Sequence, residues 1–208
     1  MLSQQWISQI AGRQEKEFRP KSEPGVLRWR NDIWNEPSGL IGEIIERLNA
    51  NKSVMIIAYC NYQLVPMIRE LQSYGIPFHN PYREESFRWN ALHYKPEHGY
   101  SAAECVLAYT APNRNGVLWN PIQLKTWTQA INLHGIAKRG VKKQLCSLPD
   151  TLKPMSLDDI SLYIDRDYIT GILESGCSLS ELCDRLTAHY THVYYAAEVM
   201  ARYGEQGL

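Results

Sequence analysis

The hydrophobic pattern changes period several times along the chain. Residues 25–30 (GVLRWR) set Leu27 and Trp29 against Val26, Arg28 and Arg30, the two-residue alternation of a half-buried strand. Ile41, Ile44, Ile45 and Leu48 recur at offsets of three and four, which predicts a helix from Ser38, its capping hydroxyl, to about Asn51. Residues 54–58 (VMIIA) form an unbroken apolar run, the pattern of a central strand buried on both faces. Leu64, Met67, Ile68 and Leu71 form a second helical stripe, with Pro66 near its first turn and Gly75 at its left-handed end. Residues 76–78 (Ile-Pro-Phe) begin a further short strand, with Pro77 suited to an edge. Strand, helix, strand, helix, strand over 25–80 predicts parallel strands joined by right-handed crossovers. Three strands make a thin sheet, one that needs neighbours from elsewhere.

The remainder reads differently. A short helix is predicted over 3–12 and a charged, proline-containing linker over 13–24. Residues 81–100, rich in Tyr, His, Pro and Glu, form an irregular connector, and from Ser101 onward the signals are helical. Helices are predicted at 101–109, 121–134, 156–164, 167–174, 178–188 and 193–203. Ser156 with Asp159 and Ser178 with Glu181 have the spacing of a capping box, and the second is nearer the preferred pattern. The expected architecture is α/β: an incomplete parallel-sheet half over 1–90, then a mostly helical region over 91–208.

At 208 residues, with 44% hydrophobic and 21% charged positions, most of the chain is expected to fold around a core. Lys plus Arg equals Asp plus Glu at 22 each, so net charge argues for neither nucleic acid nor membrane. The distribution is less even. Between Cys105 and Pro149 stand Arg114, Lys125, Lys138, Arg139, Lys142 and Lys143, with no acidic residue among them. From Asp150 onward there are ten acidic residues and four basic. Either the two segments neutralise each other by packing together, or the first presents a basic binding face. There is no apolar stretch of about 18 residues to span a membrane, and the start MLSQQWISQIAG lacks the features of a signal peptide. The five scattered cysteines read as reduced thiols, and the expected compartment is the cytoplasm.

Candidate chemistry is sparse. Neither GxxxxGK[ST] nor GxGxxG occurs, so the chain alone is not expected to bind or hydrolyse a nucleotide, and no cofactor is assigned to it. Cys177, Cys183, His189 and His192 lie within sixteen residues, but the cysteine spacing is wider than structural zinc prefers, and no metal is expected. Cys60 follows an apolar run, as active-site residues at strand ends do, but a packed structural thiol explains it as well. The cluster His79-Asn80-Pro81-Tyr82-Arg83 with Arg88-Trp89-Asn90 mixes stacking faces, amides and guanidinium groups, which suits single-strand contacts. It serves equally as a rigid connector with Trp89 packed inside. Lys138, Arg139, Lys142 and Lys143 surround Gly140 in a basic turn suited to the phosphates of a duplex, or simply to solvent.

The segment SVMIIAYCNYQLVPMIRELQSYGIPFHNPYR resembles the second RecA-like subdomain, 2A, of UvrD/Rep-type superfamily 1 DNA helicases, in a phage- or plasmid-associated branch. Ile56, Asn61, Leu71, Gly75, Ile76, Pro77 and Phe78 carry the likeness. Residues from about 91 onward are similar to the helical insertion, 2B, of that family. The resemblance implies a RecA-like half, a movable helical arm that grips duplex ahead of a junction, and partners in DNA and the remaining helicase subdomains. ATP and Mg are implied for the parent enzyme only, because the ATP-binding lysine, the acidic pair and the γ-phosphate arginines have no matching position here. No catalytic residue transfers. DNA contacts are expected from Lys138, Arg139, Lys142, Lys143, Arg83, Arg88 and Trp89. Two alternatives remain: a freestanding adaptor without ATPase activity, and a small enzyme using Cys60.

Overall fold

Two amphipathic helices open the part of the chain that the computed structural model describes, residues 35–208 apart from 84, 85 and 98. Helix α1, Ser38–Asn49, turns Ile41 and Ile44 inward. Its N-cap is Pro37, and Ser38 is the first helical residue rather than the cap. Helix α2, Asn61–Ser73, buries Met67, Ile68 and Leu71. It starts three residues before its apolar stripe, so Pro66 lies inside the helix and not in the first turn. Gly75 takes the expected positive φ of 59°, and a second constraint acts there. A side chain at this position would meet the Cβ of Glu198 at 3.1 Å and its backbone carbon at 3.3 Å. Ile41, Ile44, Met67, Leu71 and Ile76 form one apolar cluster, with Val54 and Phe78 against it.

The expected sheet is corrected here. Among the described residues the bridges are isolated antiparallel pairs, Ile131 with Leu186 and Ala137 with Ile164, and no ladder forms. Residues 54–58 are not a strand buried on both faces: Met55 is 83% and Ile57 82% exposed. A strand requires a lateral neighbour for its backbone groups. The candidate neighbour, 76–78, is engaged otherwise: the Tyr195 hydroxyl donates to the Ile76 carbonyl at 2.6 Å, and the Phe78 and Tyr195 rings lie 5.8 Å apart. The predicted strand at 25–30, the helix at 3–12 and the linker at 13–24 lie outside the described residues.

The rest is helical: α3 (Ala102–Tyr109), α4 (Ala111–Asn115), α5 (Pro121–Ala130), α6 (Val141–Cys146), α7 (Leu157–Ser161), α8 (Arg166–Ser175), α9 (Leu179–Asp184) and α10 (His192–Tyr203). Helix α3 is the centre. Ala102, Ala103, Cys105, Val106, Ala108 and Tyr109 are all buried, so it is apolar almost all round, and its alanines let α5 and α10 approach closely. Trp119 and Trp127 are fully enclosed beside Tyr109, with ring centroids 5.2 Å apart and the Trp119 indole N–H on the Tyr109 carbonyl at 3.1 Å. Each aromatic side chain of this size buries roughly 150–250 Å2.

Caps account for several helix starts. Ser101 with Glu104, Asn120 with Gln123 and Ser156 with Asp159 form reciprocal capping boxes. Ser178 and Glu181, the closer match by sequence, do not: no side-chain cap bond forms, and the Ser178 hydroxyl meets that of Ser180. Helix α5 ends at Ala130 and not near His134, because Ile131 leaves the helix to pair with Leu186. Among the described residues no helix is long and apolar enough to cross a membrane.

Candidate nucleic-acid interface

The aromatic and amide cluster is a turn held by one side chain. Asn90 is 5% exposed, and its carboxamide spans the turn. Its oxygen accepts from the Asn80 N–H at 2.7 Å, and its nitrogen donates to the carbonyls of Arg83 at 2.7 Å and Asn80 at 3.3 Å. Asn80 repeats the device locally by accepting from the Tyr82 N–H at 2.9 Å. These bonds fix the backbone of 80–83 while leaving its side chains outside: Tyr82 is 91% exposed, and Arg83 and Arg88 are exposed as well. Trp89 is buried, so the stacking face in this cluster belongs to Tyr82 and not to Trp89. A cleft of about 570 Å3 opens beside the turn, between His79, Asn90, His93 and Gln206. His93 and Gln206 were not singled out from sequence, because nothing local marks two residues that meet only through the fold.

The six basic residues of 105–149 separate into two groups. Arg114 donates to the Leu107 carbonyl and pairs with Glu205 at 3.1 Å. Lys125, 7% exposed, donates to the Leu148 carbonyl and pairs with Asp150 at 2.7 Å. Lys142 donates to the carbonyls of Gln129 at 3.1 Å and Ile131 at 2.7 Å, capping the end of α5. Burial pulls its pKa down, while the two carbonyls favour the charged form. Lys138, Arg139 and Lys143 remain exposed. The turn carrying Lys138 and Arg139 is held on one side by the Ala137–Ile164 bridge and on the other by α6, which carries Lys143 and buries Val141 and Leu145. Gly140, at φ 87°, supplies the left-handed turn between them. So the basic and acidic segments do neutralise each other in part, through Asp150 and Glu205, and three cations are left facing outward.

Cys105 and Cys177 are buried, Cys60 and Cys183 are half-buried and Cys146 is exposed. All five cysteines are free, and burial pushes Cys105 up to about 12 and Cys177 and Cys183 up to about 11. The Cys60 backbone N–H donates to the Gln63 side chain at the start of α2. Cys177, Cys183, His189 and His192 do not come together: among the described residues no group of three or more His, Cys, Asp or Glu is placed to hold a metal ion. His192 stacks on Tyr190 at 5.7 Å and stands edge-on to Phe87 at 5.2 Å.

No protein-family model matches the chain, and no curated protein or solved structure matches it.

Proposed function

We propose that this chain is a non-catalytic segment of an ATP-dependent DNA helicase of the UvrD/Rep type, part of a RecA-like 2A region followed by a helical 2B-like arm. Its role is to bind DNA and to regulate unwinding by the parent enzyme. The observation that carries the reading is the separation of the basic residues. Three of six close the fold internally, while Lys138 and Arg139 on an anchored turn and Lys143 on the helix α6 that follows it stay exposed. Phosphate contacts need cations held in place, not base-reading groups. The Tyr82–Arg83 turn, fixed by Asn90, adds a stacking face and a guanidinium of the kind a single strand uses.

The ATP and Mg of such an enzyme do not fit here. Residues 53–63, where an apolar run meets the start of α2, carry no basic side chain, and the first backbone N–H of that turn is already taken by Gln63. No step through a nucleotide is derived for this chain.

A second reading, an adaptor that binds protein and not DNA, draws support from the exposed apolar run at 55–59. Titration of a labelled forked duplex by fluorescence anisotropy separates the two. The DNA reading predicts binding that Tyr82→Ala with Arg83→Ala weakens at the forked end and not on a blunt duplex. Absence of binding to fork, duplex and single strand alike would leave the adaptor reading.

A further inference from the structure

Three segments far apart in sequence wall the cleft beside the Asn90 turn, and a different contact fixes each. Residues 77–79 follow Ile76, whose carbonyl accepts from the Tyr195 hydroxyl at 2.6 Å. Residues 90–93 are held by Asn90 and by Leu92, 2% exposed, whose carbonyl accepts from the Ala103 N–H at 3.0 Å. Residues 206–208 fold back onto α10 so closely that a Cβ on Gly207 would meet the Tyr203 Cβ at 2.7 Å and the Val199 Cγ1 at 2.9 Å. The cleft is thus formed before any ligand arrives. Its volume of about 570 Å3 lies within the roughly 300–1,000 Å3 of small-molecule sites. Its lining divides by chemistry. Pro77, Phe78 and Leu92 give apolar surface, and the exposed residues His79, His93 and Gln206 give polar groups. Asn90 also lines it, but its carboxamide is committed to the turn. Among the described residues none bonds to the side chains of His79, His93 or Gln206, and no charged side chain lines the cleft.

We propose that this cleft binds a nucleobase, its face on Pro77 and Phe78 and its edge hydrogen-bonded to His79, His93 and Gln206. An imidazole and a carboxamide each offer both a donor and an acceptor. A charged ligand would find no opposite charge among these side chains. An aliphatic ligand would leave the polar groups unmatched, and a sugar would leave the apolar surface uncovered. A flat ring with donors and acceptors along its edge satisfies both kinds of surface. The base is presented by a free nucleoside or by an unpaired position of a strand. The site uses neither Tyr82 nor Arg83 and does not rest on the DNA reading, so either can fail alone. For a nucleoside of about twenty heavy atoms the expected Kd is on the order of 0.1 mM.

Titration of the full chain with adenosine, guanosine, cytidine and uridine tests this, read by 1H–13C correlation of the histidine Cε1–H groups. At least one nucleoside should shift His79 and His93 and saturate near that Kd, while the exposed His134 and His189 stay in place. His79→Ala/His93→Ala alters two exposed positions, so the variant keeps its fold, which far-UV circular dichroism checks. It should weaken binding at least about fivefold by saturation-transfer titration, since two hydrogen bonds are lost. Tyr82→Ala/Arg83→Ala should bind the nucleoside as the unaltered chain does. Displacement of the nucleoside by an oligonucleotide, and not by an abasic strand of the same length, makes a strand the source of the base; displacement by neither makes it the free nucleoside. No shift at tenfold the expected Kd, equal shifts in all four histidines, undiminished binding by the histidine variant, or displacement by the abasic strand would each overturn the proposal.

Discussion

Lys142 gives the sharpest separation between a structural and a DNA-binding lysine. Replacement by Met keeps the apolar stem and removes the ammonium from two carbonyls. The Gln129 carbonyl belongs to a half-buried residue, and water can replace its partner at little cost. The Ile131 carbonyl belongs to a residue 1% exposed, and the bonds of its isolated bridge pass it by: they run from the Thr187 N–H to the Ala130 carbonyl and from the Asn132 N–H to the Arg185 carbonyl. One buried acceptor without a partner costs about 1–3 kcal/mol. Loss of a cation at a helix C-terminus adds about 0.3–1 kcal/mol. Against these stands the desolvation of the ammonium, which Met relieves. The expected net loss is about 2 kcal/mol, or roughly 4–8 °C in Tm for a chain of this size. Urea unfolding read by tryptophan fluorescence measures it, with an unchanged m-value. DNA affinity of the folded variant and its salt dependence should stay as they were. A variant within about 0.5 kcal/mol of the unaltered chain, the usual range for surface substitutions, would refute the capping role. So would a reduced salt slope at unchanged stability.

Two further outcomes follow from the same structure. Asn90→Ala should cost about 0.5–1.5 kcal/mol in urea unfolding, because it removes the bonds to the Asn80 N–H and the Arg83 carbonyl, which water reaches. Asn90→Asp should do no better, since it sets a carboxylate against two carbonyls, and an Asp variant of native stability would contradict the amide orientation described. His192 has its pKa lowered by burial, and its Nε2 has no hydrogen-bond partner among the described residues. The unfolded chain therefore takes up a proton below about pH 6.5 while the folded chain resists it, so stability falls as pH drops through that value. His192→Phe should flatten the stability profile below pH 6.5, and identical slopes in the two proteins would count against this.

Local signals read the helical region well and its boundaries poorly. The stripes of α1, α2 and α10 need only their own apolar spacing, and the Ser156 box needs only its own two side chains. The end of α5 depends on Leu186, more than fifty positions later, and no pattern around His134 announces it. The Ser178 hydroxyl meets Ser180 instead of capping its helix, a competition that spacing does not reveal. The apolar run at 54–58 reads as buried because burial was inferred from composition, whereas burial of a strand depends on neighbours. Tyr82 and Trp89 look alike in the sequence as stacking residues, and only the Asn90 clamp decides which one faces out. Lys142 is likewise inseparable by sequence from Lys138, Arg139 and Lys143 until α5 ends beside it.

The measurement that bears most directly on the DNA reading is the salt dependence of duplex binding by the unaltered chain and by Lys138→Ala/Arg139→Ala/Lys143→Ala. Each phosphate contact contributes a slope of roughly 0.9 in log affinity against log salt, so losing three should flatten it by roughly 2.7. Stability should be unchanged, because none of the three is buried. An unchanged slope, or no binding of duplex by the unaltered chain at low salt, would contradict the account.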